Sequence, residues 1–223
     1  MKARIKAVLF DFDMTLIDSS HAITGCMNGM AEDLGLAPVT RAQVLSTIGL
    51  PIESAWRTLW GDFRSEWLDH YRSHYSDRER KELRPFPGAV PLLESLAAKG
   101  IKRGVVTNRR FARVSVEAVG LASYFEAIVG LESVERPKPF PDSLLLGLKL
   151  LEVDRESAVF VGDTDIDMKT GIAAGVRTIG IYSGNHDGPE LIQAGAWKTV
   201  PDLTGLGVLL GVQERKTQHS LQC

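Results

Sequence analysis

Two cysteines are all that the 223 residues contain, and Cys26 and Cys223 stand far apart with no Cys/His cluster beside either. That scarcity excludes a disulfide framework and argues against a zinc site, so both are expected as free thiols. Long apolar runs are missing too: none approaches the roughly 20 residues that span a bilayer. The apolar run before Asp11 is shorter than the about 7 to 15 residues of a secretory signal, so a cytoplasmic protein with no membrane partner is expected. An excess of either charge is also absent. With 26 Lys and Arg against 28 Asp and Glu, the net charge is -2 and the pI about 6.2, which supplies no basic field for nucleic acid. At 44% hydrophobic and 24% charged, the chain reads as a soluble globular protein of one or two domains.

What is present has a rhythm. Short apolar runs at 7–10, 101–106, 126–129, 158–161 and 176–181 alternate with stretches of helical periodicity. This is the pattern of an α/β fold, a Rossmann-like parallel sheet covered by helices. Pro91 and Gly100 bracket a helix over 91–99, a second is expected near 141–150, and a third over 166–174 stopped by Gly175. Residues 18–83 break the rhythm, with helical stripes such as Ile23, Met27, Met30 and Leu34 but no convincing strand. The expected organisation is therefore a discontinuous core, 1–17 and 84–213, with a helical insertion at 18–83 that forms a lid. Arg84-Pro85-Phe86-Pro87-Gly88 is the stiff return to the core, and 214–223 is a polar tail.

Acidic residues gather after two of the apolar runs. Asp11-Phe12-Asp13 follows Ala7–Phe10, and Gly162-Asp163-Thr164-Asp165-Ile166-Asp167 follows Ala158–Val161. A parallel sheet sets such strand ends side by side, where carboxylates repel unless a cation intervenes, and a hard divalent metal such as Mg²⁺ answers that need. Thr107-Asn108 follows a third run. Lys138 sits in Arg136-Pro137-Lys138-Pro139-Phe140-Pro141, where prolines restrict the backbone and fix the lysine's place. Taken singly, an Asp-x-Asp, a Gly-Asp or a loop lysine is more often a cap or a solvated group. Their convergence on the ligand crevice of one sheet makes the case for a site.

In this order the motifs Asp11-Phe12-Asp13-Met14-Thr15-Leu16, Thr107-Asn108, Lys138 and Gly162-Asp163 with Asp167 resemble the haloacid dehalogenase superfamily, specifically its phosphatases with a helical cap after the first strand. Pro87-Gly88-Ala89-Val90 and Gly171–Val176 resemble its phosphoglycolate phosphatase-like branch. The resemblance implies a phosphatase that uses Mg²⁺ on a small phosphorylated metabolite, as a monomer or homodimer. It makes Asp11 the nucleophile that forms an aspartyl-phosphate and Asp13 the acid/base. Metal would be held by Asp11, Asp163 and the backbone carbonyl of Asp13, with Asp167 holding metal-bound water. Thr107 and Asn108 would grip a phosphate oxygen, and Lys138 would spread its charge.

Two other readings compete: a β-phosphoglucomutase-like transfer, disfavoured because that family usually carries Glu-Asp where Gly162-Asp163 stands, and a noncatalytic phospholigand-binding protein of the same fold. Met14 departs from the resembled family, which usually has Gly there. The favoured reading is a loop open to other residues, the alternative a side chain that narrows the loop. Trp56, Trp60 and Trp67 read as packing residues, and His21, His70, His74, Arg57 and Arg72 as surface or core polar groups. Gly49-Leu50-Pro51 reads equally as a loop facing the site or as a helix-ending turn.

Overall fold

A computed structural model describes residues 4–184 and 186–214. The tail expected at 214–223 lies outside the described residues from 215 onward. The strands are β1 (Ala7–Phe10), β2 (Ile17–Asp18), β3 (Arg84–Pro85), β4 (Lys102–Val106), β5 (Ala127–Val129), β6 (Ala158–Gly162), β7 (Arg177–Ile181) and β8 (Lys198–Val200). The helices are α1 (Ser20–Leu34), α2 (Arg41–Leu45), α3 (Ile52–Trp60), α4 (Ser65–His74), α5 (Ser76–Glu82), α6 (Ala89–Ala98), α7 (Ala112–Ala118), α8 (Asp142–Leu151), α9 (Asp165–Ala174), α10 (Gly188–Gln193) and α11 (Leu203–Leu209).

Six strands form one parallel sheet in the order β5-β4-β1-β6-β7-β8. The uninterrupted apolar character of β1 and β6 follows from their central place, because helices cover both faces and every side chain is buried. Alternation divides β1 between the two layers. Val8 and Phe10 pack with Leu92, Leu93 and Leu96 of α6, whereas Leu9 packs with Leu144, Leu148 and Leu151 of α8. Each such fully buried side chain contributes about 1.5–3 kcal/mol, so the two layers fix β1 from both sides.

β2 and β3 pair antiparallel, Ile17 with Pro85 and Asp18 with Arg84, where the chain leaves the core and returns to it. One residue of the stretch read as strand-free, Asp18, thus lies in a short strand. Between these strands α1 to α5 surround their own apolar cluster of Trp56, Trp67, Tyr71, Met27 and Met30. Trp56 meets Trp60 and Tyr71 edge-on at ring separations of 5.9 and 5.7 Å, which is the packing role expected of the tryptophans. Gly35, in the left-handed conformation with φ 66°, ends α1. Among the described residues no helix is long and apolar enough to cross a membrane.

Candidate active site

The site grows from the ends of β1 and β6. Phe10 stands in register with Val161, and the next N–H of β1, that of Asp11, donates to the Val161 carbonyl at 2.8 Å. The ladder therefore runs up to Asp11 and delivers its carboxylate beside that of Asp163. β4 lies on the other side of β1 and ends one residue before Thr107. Lys138 enters from the loop before α8.

Lys138 is buried to 2% exposure, and its Nζ donates to Asp11 Oδ1 at 2.6 Å and Asp167 Oδ1 at 2.7 Å. Burial opposes the charged ammonium, but the two carboxylates outweigh it and hold Lys138 above the ordinary lysine value. The other oxygen of Asp167 accepts from the backbone N–H of Thr164 at 3.1 Å and from its hydroxyl at 2.6 Å, closing a capping box at the start of α9. Asp167 thus ties the helix cap to the lysine. Gly162 has no room for a side chain, since a Cβ there would collide with the Asp167 carboxylate. The packing accounts for Gly rather than Glu before Asp163.

Asn108 was expected to present amide donors to phosphate. Its Nδ2 instead donates to the Gly49 carbonyl at 2.8 Å and the Lys138 carbonyl at 3.1 Å, while its Oδ1 accepts from the Lys138 N–H at 2.9 Å. With both amide hydrogens engaged, it acts as a strut joining the end of β4, the lysine loop and the helical insertion. Gly49 accordingly lies in a loop that faces the site. The Thr107 hydroxyl oxygen accepts the Arg109 backbone N–H at 3.1 Å, which leaves the hydroxyl hydrogen to donate.

The Asp13 carboxylate is paired outside this cluster. Arg109 grips it with a two-point fork, Nη2 to Oδ1 at 2.6 Å and Nε to Oδ2 at 3.0 Å, and the remaining Nη1 donates to Glu79 of α5. Glu79 also accepts from the Tyr71 hydroxyl. Burial opposes ionisation of Asp13, yet the charge and hydrogen bonds of Arg109 outweigh it and hold the carboxyl below its usual range. Asp11 moves the other way. Burial, reinforced by Asp167 and Asp13 and opposed by Lys138, raises it from 3.8 to about 7. The two acids thus occupy contrasting environments, but in the sense opposite to the first step of the implied roles: Asp13 is held ionised by its cation, and Asp11, biased toward protonation by burial, needs a further cation to serve as nucleophile.

The backbone between them turns sharply. Leu16 N–H donates to the Phe12 carbonyl at 3.0 Å and Met14 N–H to the Ile17 carbonyl at 2.8 Å, with Met14 at φ 59°. The favoured expectation of an unrestricted loop is therefore corrected: the position is left-handed, the conformation for which Gly is suited. A non-glycine residue there costs roughly 1–2 kcal/mol. Met14 is 2% exposed, and burial of its side chain contributes about 1.5–3 kcal/mol, enough to offset that strain.

Asp11, Asp163 and Asp167 each offer a carboxylate oxygen within 4.8 Å of the others. Three carboxylates against the one ammonium of Lys138 leave a formal excess of two negative charges. Burial, then Asp11 and Asp167, pushes Asp163 well above its ordinary value, although Thr15 Oγ1 donates to it at 3.0 Å. A buried all-oxygen set short of two positive charges fits Mg²⁺. The Asp13 carboxylate is outside this set, so any share it takes in metal binding rests on its backbone carbonyl, as the resemblance implied.

Arg109 and Glu79 escaped the sequence reading. Arg109 follows Thr107-Asn108 directly, which was a usable signal. Glu79 lies in the run Asp77-Arg78-Glu79-Arg80-Lys81, whose alternating charges give no sign that one member is buried. His70 pairs with Asp33 at 2.8 Å and stacks on His74, away from the site.

Residues 8–181 match the family model described as haloacid dehalogenase-like hydrolase. A phosphoglycolate phosphatase of Aquifex aeolicus is 33% identical, the match covering 78% of this chain and 83% of the relative. An N-acetylmuramic acid 6-phosphate phosphatase of Pseudomonas aeruginosa is 32% identical over 82% of this chain and 84% of the relative. Among solved structures, a haloacid dehalogenase-like family hydrolase of Streptococcus pneumoniae superposes with a TM-score of 0.81 at 26% identity, covering 94% of this chain and 99% of the other. Ordered motifs, sheet order and relatives agree, and the chain belongs to the haloacid dehalogenase-like hydrolase family, in its phosphoglycolate phosphatase-like branch.

Proposed function

We propose that the protein is a Mg²⁺-dependent phosphatase that hydrolyses a small phosphomonoester through an aspartyl-phosphate on Asp11, with phosphoglycolate as the minimal substrate. The observation that carries this reading is the buried Asp11 carboxylate at the end of β1, 2.6 Å from Lys138 and grouped with Asp163 and Asp167. The two curated relatives described above act, by their names, on phosphoglycolate and on N-acetylmuramic acid 6-phosphate, esters that share a phosphoryl end and differ in the alcohol.

In this reading Asp11 attacks phosphorus as the bond to the leaving oxygen breaks, and Asp13 supplies the proton that the alkoxide takes. In the second half-reaction Asp13, ionised, removes a proton from water as the water oxygen attacks phosphorus, releasing Asp11 and inorganic phosphate. The Arg109 fork favours the ionised form of Asp13, which the second half-reaction needs; to serve the first, Asp13 must leave the fork and take up a proton from solvent before it passes one to the alkoxide. Lys138 holds the Asp11 carboxylate in place and offsets the charge of the transferring oxygens, while Thr107 supplies a hydroxyl donor. Mg²⁺ at Asp11, Asp163 and Asp167 would neutralise the phosphate and favour the ionised nucleophile. Residues 18–83 act as a cap that keeps bulk water from the intermediate over a core of 1–17 and 84–213.

The test is inorganic phosphate release from phosphoglycolate and other phosphomonoesters with Mg²⁺ or with chelator, alongside Asp11→Asn. Release that needs Mg²⁺ and disappears in the variant supports the reading. Full activity in Asp11→Asn would sink it, and isomerisation of a sugar phosphate without phosphate release would point to a mutase.

A further inference from the structure

The space above Asp11 is larger than a two-carbon phosphate ester needs. A cavity of about 670 Å³ begins at Asp11, Asp13 and Thr107 and continues into the helical insertion. Such a volume falls among those of pockets for drug-sized ligands, about 300–1,000 Å³. Its inner wall is apolar and drawn from four helices: Ile23 and Met27 of α1, Val44 of α2, Ile52 and Ala55 of α3, and Leu68 of α4. Three of the guanidinium groups that border it already face carboxylates. Arg109 is held by Asp13 and Glu79, Arg80 by Asp77, and Arg72 by Asp69 at 4.0 Å. At these three a second anionic group on the substrate would have to compete with the carboxylates, which leaves the exposed Arg110 as the bordering cation without a carboxylate partner among the described residues, whereas an uncharged apolar body would cover the inner wall without displacing an ion pair.

We propose that this cavity is a leaving-group subsite for an apolar body, and that the preferred substrates are phosphomonoesters of aryl or medium-chain alkyl alcohols. The proposal rests on the phosphatase reading and deepens it at the alcohol end. The phosphoryl group would lie against Asp11 and Lys138, and the alcohol's carbon skeleton would extend past Asp13 toward Ala55 and Met27. Area removed from water then sets the preference. Each methylene buried on the way to the transition state should raise kcat/KM about fourfold until the cavity is filled.

The test measures inorganic phosphate release with Mg²⁺ from phosphoglycolate and from ethyl, butyl, hexyl and phenyl phosphate. kcat/KM should climb along the alkyl series, with hexyl and phenyl phosphate exceeding phosphoglycolate. In Ala55→Phe, whose ring would enter the cavity, the hexyl-to-ethyl ratio should fall toward one. Calorimetric titration of the unaltered protein with hexylphosphonate and methylphosphonate reads the same subsite without turnover, and the longer ligand should bind more tightly. Turnover of the small esters with a flat alkyl series, or equal binding of the two phosphonates, overturns the subsite and leaves the phosphatase reading standing. No phosphate from any ester overturns both.

Discussion

Arg109 answers two buried carboxylates with one guanidinium, and all three side chains are at most 14% exposed. At that burial the pairing has consequences for stability as well as chemistry, because removing one partner leaves the others charged and without compensation. Arg109→Leu should therefore lower the unfolding free energy by about 3–5 kcal/mol. Urea unfolding measures this, and a loss below about 1 kcal/mol, the scale of an exposed pair, would contradict the geometry. The same fork explains why Asp13 and Asp11 titrate in opposite senses although one residue separates them: burial raises both, but Asp13 gains a close cation of its own, while Asp11 shares Lys138 with Asp167 and has the Asp167 and Asp13 carboxylates nearby. Met14 shows a different compromise, in which side-chain burial offsets a left-handed backbone.

Among the elements, the loops do more positioning than the helices. Asn108 links the end of β4 to the Lys138 loop and to Gly49 through three hydrogen bonds of 2.8 to 3.1 Å. Asn108→Ala strands a buried N–H and frees the lysine loop, so stability should fall by at least about 1–3 kcal/mol. kcat/KM should fall with it, as Lys138 loses its support. A variant with unchanged urea midpoint and unchanged kcat/KM would show that the strut is dispensable. β1 and β6 were legible as sequence because strands buried on both faces appear as unbroken apolar runs, and the acids beyond them stood out for that reason. β8 was not legible: Lys198-Thr199-Val200 is short and polar in two of its three residues, and only its pairing with β7 makes it a strand. The direction of the Asn108 donors and the Arg109–Glu79 pair were equally hidden, since both depend on where the helical insertion lies against the sheet.

At the scale of the whole molecule, the carboxylate cluster links stability to pH and, under the proposed function, to Mg²⁺. Asp11 is raised from 3.8 to about 7 on folding, so the folded protein keeps a proton that the unfolded chain gives up. Its contribution is fully present below the unfolded value and is lost as pH rises through about 7, with Asp163 shifted in the same direction. Mg²⁺ favours the ionised carboxylates, so the rise in Tm that it brings should be small at pH 5 and larger at pH 8. Thermal unfolding with Mg²⁺ and with chelator at the two pH values checks the sign. A larger rise at pH 5 would contradict the cluster as a metal site.

The central claim is that Asp11 carries the phosphoryl group between the two half-reactions. It is tested most directly by mixing the protein with excess phosphoglycolate, and with hexyl phosphate, in the presence of Mg²⁺, quenching in acid during turnover and mapping the modified peptide by mass spectrometry. Phosphate on the peptide containing Asp11, absent from Asp11→Asn, is the predicted result. Turnover with phosphate on another residue, or undiminished in Asp11→Asn, would contradict the account.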